Sequence, residues 1–278
     1  MIKGIVNKII PFSSVDGPGN RTAIFLQGCN FNCLYCHNPE TINICSNCGI
    51  CVQACPYGAL EKADGKVIWD YKSCQNCDIC IRACPNDSSP KIREMSVEDV
   101  LKEINKVKEF ISGITVSGGE CTLQYDFVTV LFNQARKLGL STFLDTNGFI
   151  SLKDKYELIN SMDMAMVDIK SYNAKEHIML TGKDNKTVLD NVKYLGEIGK
   201  LYEVRTVIVP EILDNYFNVD NISKFIALIN PYIRYKIIKY RPVGVRMDLI
   251  KSYVPSDDIM NELSDIAYKN GCKNVIVV

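Results

Sequence analysis

Cysteine placement constrains this chain more than any other feature of its sequence. Eleven of the 13 cysteines lie between Cys29 and Cys84, and the total is odd. Disulfides join cysteines in pairs and belong to oxidising compartments, whereas thiols clustered at short spacings are typical of metal sites. A segment so rich in cysteine must build its core around inorganic groups.

The first cysteine group has the spacing C-x3-C-x2-C and consists of Cys29, Cys33 and Cys36. Three thiolates can hold three irons of a 4Fe–4S cluster and leave the fourth iron open to a substrate or cofactor. The alternative is part of a zinc site, with His37 as a fourth ligand. The group therefore favours chemistry at an open iron, with zinc as the competing interpretation.

Two further runs share the spacing C-x2-C-x2-C-x3-C-P, which is that of bacterial ferredoxins. In two-cluster ferredoxins the fourth cysteine of each run binds the other run's cluster. The first predicted 4Fe–4S cluster is therefore held by Cys45, Cys48, Cys51 and Cys84. The second is held by Cys74, Cys77, Cys80 and Cys55. Structural zinc is the alternative, but two complete runs favour clusters that carry single electrons.

The composition outside these runs indicates a large α/β domain. Apolar β-type runs at 22–27, 114–116, 141–145, 164–169, 202–209, 234–240 and 274–278 alternate with helical patterns at 97–110, 125–138, 152–160, 174–180, 187–198, 215–229 and 256–269. Such alternation predicts a parallel sheet with crossover helices. We expect a partial (β/α)6 barrel over 1–40 and 92–278, interrupted at 41–91 by a small ferredoxin-like insertion with two clusters.

Charge and hydropathy exclude several classes of function. The chain has 278 residues, 47% of them apolar, and a formal charge of +0. This balance indicates neither nucleic acid nor an anionic membrane as a partner. Apolar runs are shorter than the roughly 18 residues of a membrane helix, and the amino terminus does not resemble a signal peptide. We therefore expect a cytoplasmic protein and a monomer.

A second motif, Ser117-Gly118-Gly119-Glu120, follows the predicted strand at 114–116. Paired glycines let the backbone approach a ligand closely, and a carboxylate at a strand end can receive a ligand ammonium. The alternative is an ordinary turn between a strand and a helix.

Together, the C-x3-C-x2-C group and the downstream Gly-Gly-Glu resemble the radical SAM superfamily. The resemblance implies that the open iron binds the amino and carboxylate groups of S-adenosylmethionine (SAM). One electron then cleaves the sulfur–carbon bond and yields methionine and a 5′-deoxyadenosyl radical. Tyr35 stands at the family's aromatic position against the adenine. Gly118, Gly119 and Glu120 are implied to contact SAM.

Four further segments narrow the resemblance to the glycyl-radical-enzyme activases, of which pyruvate formate-lyase activase is one. They are the stretch 12–21 with its Asp-Gly-Pro-Gly, Cys36-His37-Asn38, Asp145-Thr146-Asn147-Gly148, and 166–170, Met-Val-Asp-Ile-Lys. The resemblance covers essentially the whole chain. The two-cluster insertion makes it most similar to the YjjW-type activases.

This narrower resemblance implies several residue roles. Asp168, Lys170 and Arg205 would contact SAM or its products. A monovalent cation, Na⁺ or K⁺, would bind to Asp145, Thr146, Met166 and Asp168. Asp16, Gly17, Pro18 and Gly19 would bind the partner's glycine segment, with a plain tight turn as the alternative. Where the family has a histidine after its sixth strand, this chain has Lys239-Tyr240-Arg241-Pro242, so the role of Arg241 is open.

The implied function is the activation of a glycyl-radical enzyme, with electrons from a flavodoxin or ferredoxin-type reductant. Two alternatives remain from the sequence: a radical SAM enzyme that acts on a small molecule, and a non-catalytic electron carrier. The two cysteines outside the motifs, Cys121 and Cys272, are expected to be small buried apolar residues.

Overall fold

The fold is built on one sheet of nine strands, with a separate hairpin of two. A computed structural model describes residues 2–278; Met1, the first residue of the predicted 1–40 segment, lies outside it. The strands are β1 Lys3–Ser13, β2 Arg21–Leu26, β3 Leu60–Ala63, β4 Lys66–Trp69, β5 Arg93–Ser96, β6 Gly113–Gly118, β7 Ser141–Thr146, β8 Met164–Asp168, β9 Leu201–Ile208, β10 Arg234–Lys239 and β11 Val275–Val277.

Nine α-helices occur within residues 2–278. They are α1 Ile50–Ala54, α2 Ile79–Arg82, α3 Val97–Asn105, α4 Tyr125–Lys137, α5 Tyr156–Ser161, α6 Ala174–Thr181, α7 Lys186–Glu197, α8 Asn215–Ile229 and α9 Asp257–Lys269. Short 3-10 helices span Pro39–Thr41, Lys108–Phe110 and Cys121–Gln124. None of the helices in this described part of the chain is long and apolar enough to cross a membrane.

The strand order confirms the predicted α/β fold with a parallel sheet. The nine strands follow the order β11-β10-β9-β8-β7-β6-β2-β1-β5, and all pairs from β2 to β11 are parallel. Strand β1 pairs antiparallel with β2 and with β5. Parallel neighbours end at a common edge, which brings the segments after β2, β6, β7 and β8 together, as in βα barrels.

Local sequence explains several element boundaries. Ser96 caps α3, and Ser96 and Asp99 exchange hydrogen bonds in a capping box, as their spacing predicts. Gly139 and Gly199 follow α4 and α7 with φ of +79° and +69°. In this left-handed region glycine avoids the cost that a side chain would incur. These helix ends agree with the sequence expectation.

Several elements differ from the sequence expectation. Helix α3 ends at Asn105, five residues before the predicted end at 110, and β5 is absent from the predicted set. Strand β1 is absent from the predicted set because bulges at Val6/Lys8 and Ile10/Ser13 break its alternation of buried and exposed residues. Helix α5 begins at Tyr156, four residues after the predicted start at 152. Leu152 is buried, but its backbone N–H donates to Asn191 Oδ1 at 3.0 Å instead of joining a helix.

The cysteine-rich segment has a small core of its own. The hairpin of β3 and β4 pairs Leu60 with Trp69, and Cys51, Leu60 and Cys80 form a buried cluster separate from the main core. At its base, Asn43 N–H donates to Asp87 O at 3.1 Å. The two ends of the segment therefore lie side by side where it leaves the sheet domain.

Candidate active site

A cavity of about 340 Å³ opens at the carboxyl ends of the parallel strands. Its wall brings together side chains that are far apart in the sequence. The predicted site residues that line it are Asp16, Cys29, Cys33, Tyr35, Cys36, Gly118, Gly119, Asp145, Thr146, Asp168, Lys170 and Arg205. Carboxylates, cations, thiols and an aromatic ring thus share one chamber.

Cys29, Cys33 and Cys36 lie in the loop between β2 and the 3-10 helix Pro39–Thr41. The end of α6 holds this loop, because Asn32 and Leu34 donate their backbone N–H groups to carbonyls of Thr181 and Leu180 at 3.0 and 2.9 Å. Burial raises the pKa of Cys29 to about 12 and that of Cys33 to about 11. Such thiols give up their protons when a metal supplies positive charge, so this donor set suits a metal cluster.

His37 was the candidate fourth ligand of a zinc site. Its Nε2 lies 3.1 Å from the carbonyl oxygen of Arg241. A carbonyl oxygen only accepts hydrogen bonds, so this contact requires a proton on Nε2. That nitrogen is therefore a donor to the chain, so only Nδ1 of His37 could bind a metal.

Close packing requires both glycines at the end of β6, Gly118 and Gly119. Gly118 has φ of +122°, and a Cβ there would lie 2.2 Å from the backbone N and O of Leu26. A Cβ on Gly119 would lie 2.3 Å from Gly28 O. The glycines thus let β6 press against the start of the cysteine loop while their backbone faces the cavity. The motif is also a turn, into the 3-10 helix Cys121–Gln124.

Glu120 is buried and hydrogen-bonded within the protein, which the Gly-Gly-Glu motif alone did not predict. The residue is 1% exposed, and burial raises the pKa of its carboxyl. Oε1 accepts from Thr122 N at 2.9 Å and from Thr146 Oγ1 at 2.7 Å, and Oε2 accepts from Asn147 N at 2.7 Å. The carboxylate lies behind the cavity wall and fastens the loop after β7.

The loop after β7 connects this buried carboxylate to the cysteines. Asn147 Nδ2 lies 3.8 Å from Cys29 Sγ and donates to Asn30 Oδ1 at 2.8 Å. Asn147 lies within the Asp-Thr-Asn-Gly motif, but the sequence analysis predicts no role for it. The structure adds it as a link between Glu120 and the cysteine loop.

The predicted cation ligands already have protein partners. Asp145 accepts from both Arg205 Nη1, at 3.1 Å, and Ser117 Oγ, at 2.9 Å. Arg205 Nη2 lies 2.8 Å from the sulfur of Met166, and Arg205 Nε pairs with Glu203 at 2.5 Å. A guanidinium therefore occupies the space beside Asp145.

Asp168 and Lys170 form the second charged pair of the cavity, with 2.6 Å between Nζ and Oδ2. Burial by itself raises the pKa of Asp168, but Lys170 and Arg205 outweigh it, so the pKa is lowered. Lys170 Nζ also lies 5.7 Å from the ring centre of Tyr35. Tyr35 is 2% exposed and presents its ring to the same chamber.

The loop of Asp16, Gly17, Pro18 and Gly19 joins β1 to β2 at the amino ends of the parallel strands, opposite the cysteine loop. The buried Arg21 anchors it by donating to Pro18 O, Thr115 Oγ1 and Ser141 Oγ. Asp16 reaches the cavity wall. The cavity therefore extends from the cysteine loop to this loop.

Within the inserted segment, the fourth cysteine of the first run lies with the second run. A separate pocket is lined by Cys55, Cys74, Cys77 and Cys80. Cys45 and Cys74 each accept a backbone N–H, from Asn47 and Asn76, at 3.4 and 3.5 Å. Four thiols from two runs around one pocket are a donor set that fits an iron–sulfur cluster.

The two remaining cysteines are buried and 0% exposed. Cys121 Sγ donates to Asp145 O at 3.2 Å, and Cys272 Sγ donates to Ser223 O at 3.4 Å. Both pack in the main core as small residues, and neither lines the cavity.

Comparison with known proteins places these features in a family. The model of the radical SAM superfamily matches residues 23–219. The pyruvate formate-lyase-activating enzyme of Streptococcus mutans is 33% identical, over 87% of this chain and 80% of that protein. The trans-4-hydroxy-L-proline dehydratase activating enzyme of Clostridioides difficile is 32% identical, over 89% of this chain and 90% of that one.

A solved structure supports the same architecture. The crystal structure of QueE from Escherichia coli superposes with a TM-score of 0.58 over 100% of this chain and 95% of that chain, at 12% identity. Similarity at this level of identity concerns the fold alone.

Proposed function

The chain belongs to the radical SAM superfamily and, within it, to the glycyl-radical-enzyme activating enzymes, and we propose on this basis that it activates a partner glycyl-radical enzyme. A 4Fe–4S cluster with an open iron, when bound, would supply the electron that splits SAM into methionine and a 5′-deoxyadenosyl radical. That radical takes a hydrogen atom from a glycine α-carbon of the partner, which leaves 5′-deoxyadenosine and a glycyl radical. The observation that supports this proposal most strongly is that one cavity is lined by the three cysteines and by residues of the motifs at 117–120, 145–148 and 166–170.

We assign the cluster that binds SAM to Cys29, Cys33 and Cys36. Tyr35 offers an apolar face to adenine, and Gly118 and Gly119 offer backbone groups. Lys170, Asp168 and Arg205 supply charges of both signs for the polar parts of the ligand. Glu120 supports this surface from behind, since its carboxylate oxygens accept bonds from neighbouring residues.

We also propose a monovalent cation at Asp145, Thr146, Met166 and Asp168, because hard cations prefer oxygen ligands. Arg205 already lies against Asp145, so a cation would compete with that ion pair. SAM affinity measured in K⁺, Na⁺ and choline buffers of equal ionic strength tests this. Equal affinity in all three would argue that Arg205 alone supplies the positive charge.

The inserted segment is proposed to hold two more 4Fe–4S clusters and to take electrons from a flavodoxin or ferredoxin-type reductant. Its ligands would be Cys45, Cys48, Cys51 and Cys84 for one cluster and Cys55, Cys74, Cys77 and Cys80 for the other. The pocket lined by the second set supports this crossed arrangement. The insertion favours a place among the YjjW-type activases. We expect a monomer that works anaerobically in the cytoplasm, because an open iron is sensitive to oxygen.

The loop of Asp16, Gly17, Pro18 and Gly19 is proposed to bind the partner's glycine segment. Positive φ at Gly17 and Gly19, +122° and +73°, leaves the backbone accessible in a conformation that other residues rarely adopt. Asp16 can accept a backbone N–H of the partner at the cavity wall. Its position opposite the cysteine loop would bring the glycine to the cavity from the other side.

The deciding experiment mixes the anaerobically reconstituted protein with SAM, a reductant and purified glycyl-radical enzymes, beginning with any encoded beside its gene. We expect an EPR doublet of a glycyl radical and stoichiometric 5′-deoxyadenosine. The matched control is Cys36→Ala, which should abolish both products. Formation of 5′-deoxyadenosine coupled to a metabolite, without a protein radical, would support the small-molecule alternative. No SAM cleavage by the reduced protein would support an electron carrier.

A further inference from the structure

The connection between β10 and α9, residues 240–256, crosses the outside of the cysteine loop; we call it the strap. Gly244 has φ of +81°, and a Cβ there would lie 2.6 Å from His37 O. The carbonyl of Arg241 also accepts from His37 Nε2. The strap therefore touches the residue that follows Cys36 at two points.

Arg246 adds a third point of contact and reaches beyond the loop. Its Nη2 donates to Cys33 O at 2.8 Å, and its Nη1 pairs with Asp87 Oδ2 at 2.7 Å. The side chain is only 12% exposed. One guanidinium thus joins the loop of the predicted SAM cluster to the inserted segment.

Asp87 lies in the neck of the insertion, which we define as Asn43, Asn86, Asp87 and Ser88. It comes three residues after Cys84, and its φ is +43°. Asn43 donates its backbone N–H to Asp87 O at 3.1 Å and its side-chain amide to Asn86 O at 3.0 Å. The neck is therefore a tied pair of chain segments, and Arg246 holds it from outside.

We propose that Arg246 is a positioning residue that clamps the neck to the cysteine loop and so sets the distance and orientation between the inserted clusters and the SAM cluster. The inference rests on the proposed function, in which electrons pass between these clusters. The distance matters there because electron transfer slows steeply as redox groups separate. A planar guanidinium can donate in two fixed directions at once, which a lysine ammonium does not reproduce.

Burial and the number of partners distinguish this contact from an ordinary surface ion pair. Exposed pairs contribute little because water competes for both charges. Here the cation is mostly covered, and it also satisfies a backbone carbonyl within the cysteine loop. Hydrogen bonds to charged donors are the stronger class. Loss of Arg246 should therefore loosen two segments, whereas loss of Asp87 should loosen one.

Hydrogen–deuterium exchange on the anaerobically loaded protein tests this difference. In Arg246→Gln we expect about tenfold faster amide exchange in residues 84–90 and in residues 31–38, as the local opening equilibrium shifts. In Asp87→Asn we expect the change in 84–90 alone. Arg241→Gln is the matched control, since it removes the same charge from the same strap and no side-chain bond of Arg241 occurs within residues 2–278. Equal exchange in Arg246→Gln and Arg241→Gln would overturn the proposal.

A spectroscopic reading separates positioning from simple stability. In the reduced protein, magnetic coupling to the inserted clusters should speed the spin relaxation of the SAM cluster. We expect the microwave power that half-saturates its EPR signal to fall at least about twofold in Arg246→Gln and to stay at the wild-type value in Arg241→Gln. An unchanged value in Arg246→Gln would refute the clamp. Neither measurement needs SAM turnover or a partner, so failure of the proposed activity would leave this test intact.

Discussion

Glu120 offers the sharpest test of how the cavity is built. Replacement by Gln keeps the shape and leaves Oε1 free to accept from Thr122 and Thr146. The amide nitrogen, however, would then face the backbone N–H of Asn147, which now donates to Oε2 at 2.7 Å. Because two donors would then face each other, the variant loses one hydrogen bond to a charged acceptor. The buried N–H of Asn147 is left without a partner.

The expected cost of Glu120→Gln follows from that single contact. Loss of such a bond in a buried site costs about 2 kcal/mol. For a domain of this size, about 2 kcal/mol lowers the melting temperature by roughly 4–8 °C. Scanning fluorimetry of the anaerobically loaded protein measures this shift. Glu109→Gln is the control, because Glu109 is exposed and should melt like the wild type.

The pH dependence of the melting temperature gives an independent check on the same residue. Burial raises the pKa of Glu120 above its ordinary value of 4.5. The folded carboxyl then holds its proton more tightly than the unfolded one, and the resulting stabilisation is fully present below pH 4.5 and lost as pH rises through the folded pKa. The gap in melting temperature between wild type and Glu120→Gln should therefore widen as pH falls from neutral towards 5.

One result would refute this reasoning. If Glu120→Gln melts within experimental error of Glu109→Gln and instead loses SAM affinity, the carboxylate acts as a ligand group and not as a support for the loop after β7. Isothermal titration with SAM on the loaded protein distinguishes the two roles.

Three further predictions follow from the structure. Cys36→Ala should abolish SAM cleavage while the iron of the inserted clusters remains, which iron analysis and 5′-deoxyadenosine assays would show; loss of all iron would contradict separate sites. Arg21→Met should lower the free energy of unfolding by about 3 kcal/mol, because it removes a buried guanidinium that satisfies Ile114 O at 2.7 Å and Ser141 O at 3.0 Å; an unchanged denaturation midpoint would refute this. Gly118→Ala should prevent soluble folding, since its Cβ would overlap the backbone of Leu26. The control Gly139→Ala has open space around it and should remain soluble, with a free energy of unfolding lower by about 1 kcal/mol because of its positive φ.

Local patterns in the sequence determined the fold class and most element positions. The helices at 215–229 and 125–138 agree with the observed α8 and α4 to within a residue, because apolar periodicity acts over short distances. The cysteine spacings and the Gly-Gly-Glu motif likewise identified the family, because ligand spacing is a property of the chain alone.

Tertiary structure decided which chemical groups face the cavity. Glu120 accepts a hydrogen bond from Asn147, Arg205 crosses to Asp145, and Arg246 reaches Asp87 across 159 positions of sequence. No local period encodes such partners, since each depends on how strands and loops distant in the chain meet. The sequence alone established which groups the protein carries, and packing of the sheet established which of them remain free to act.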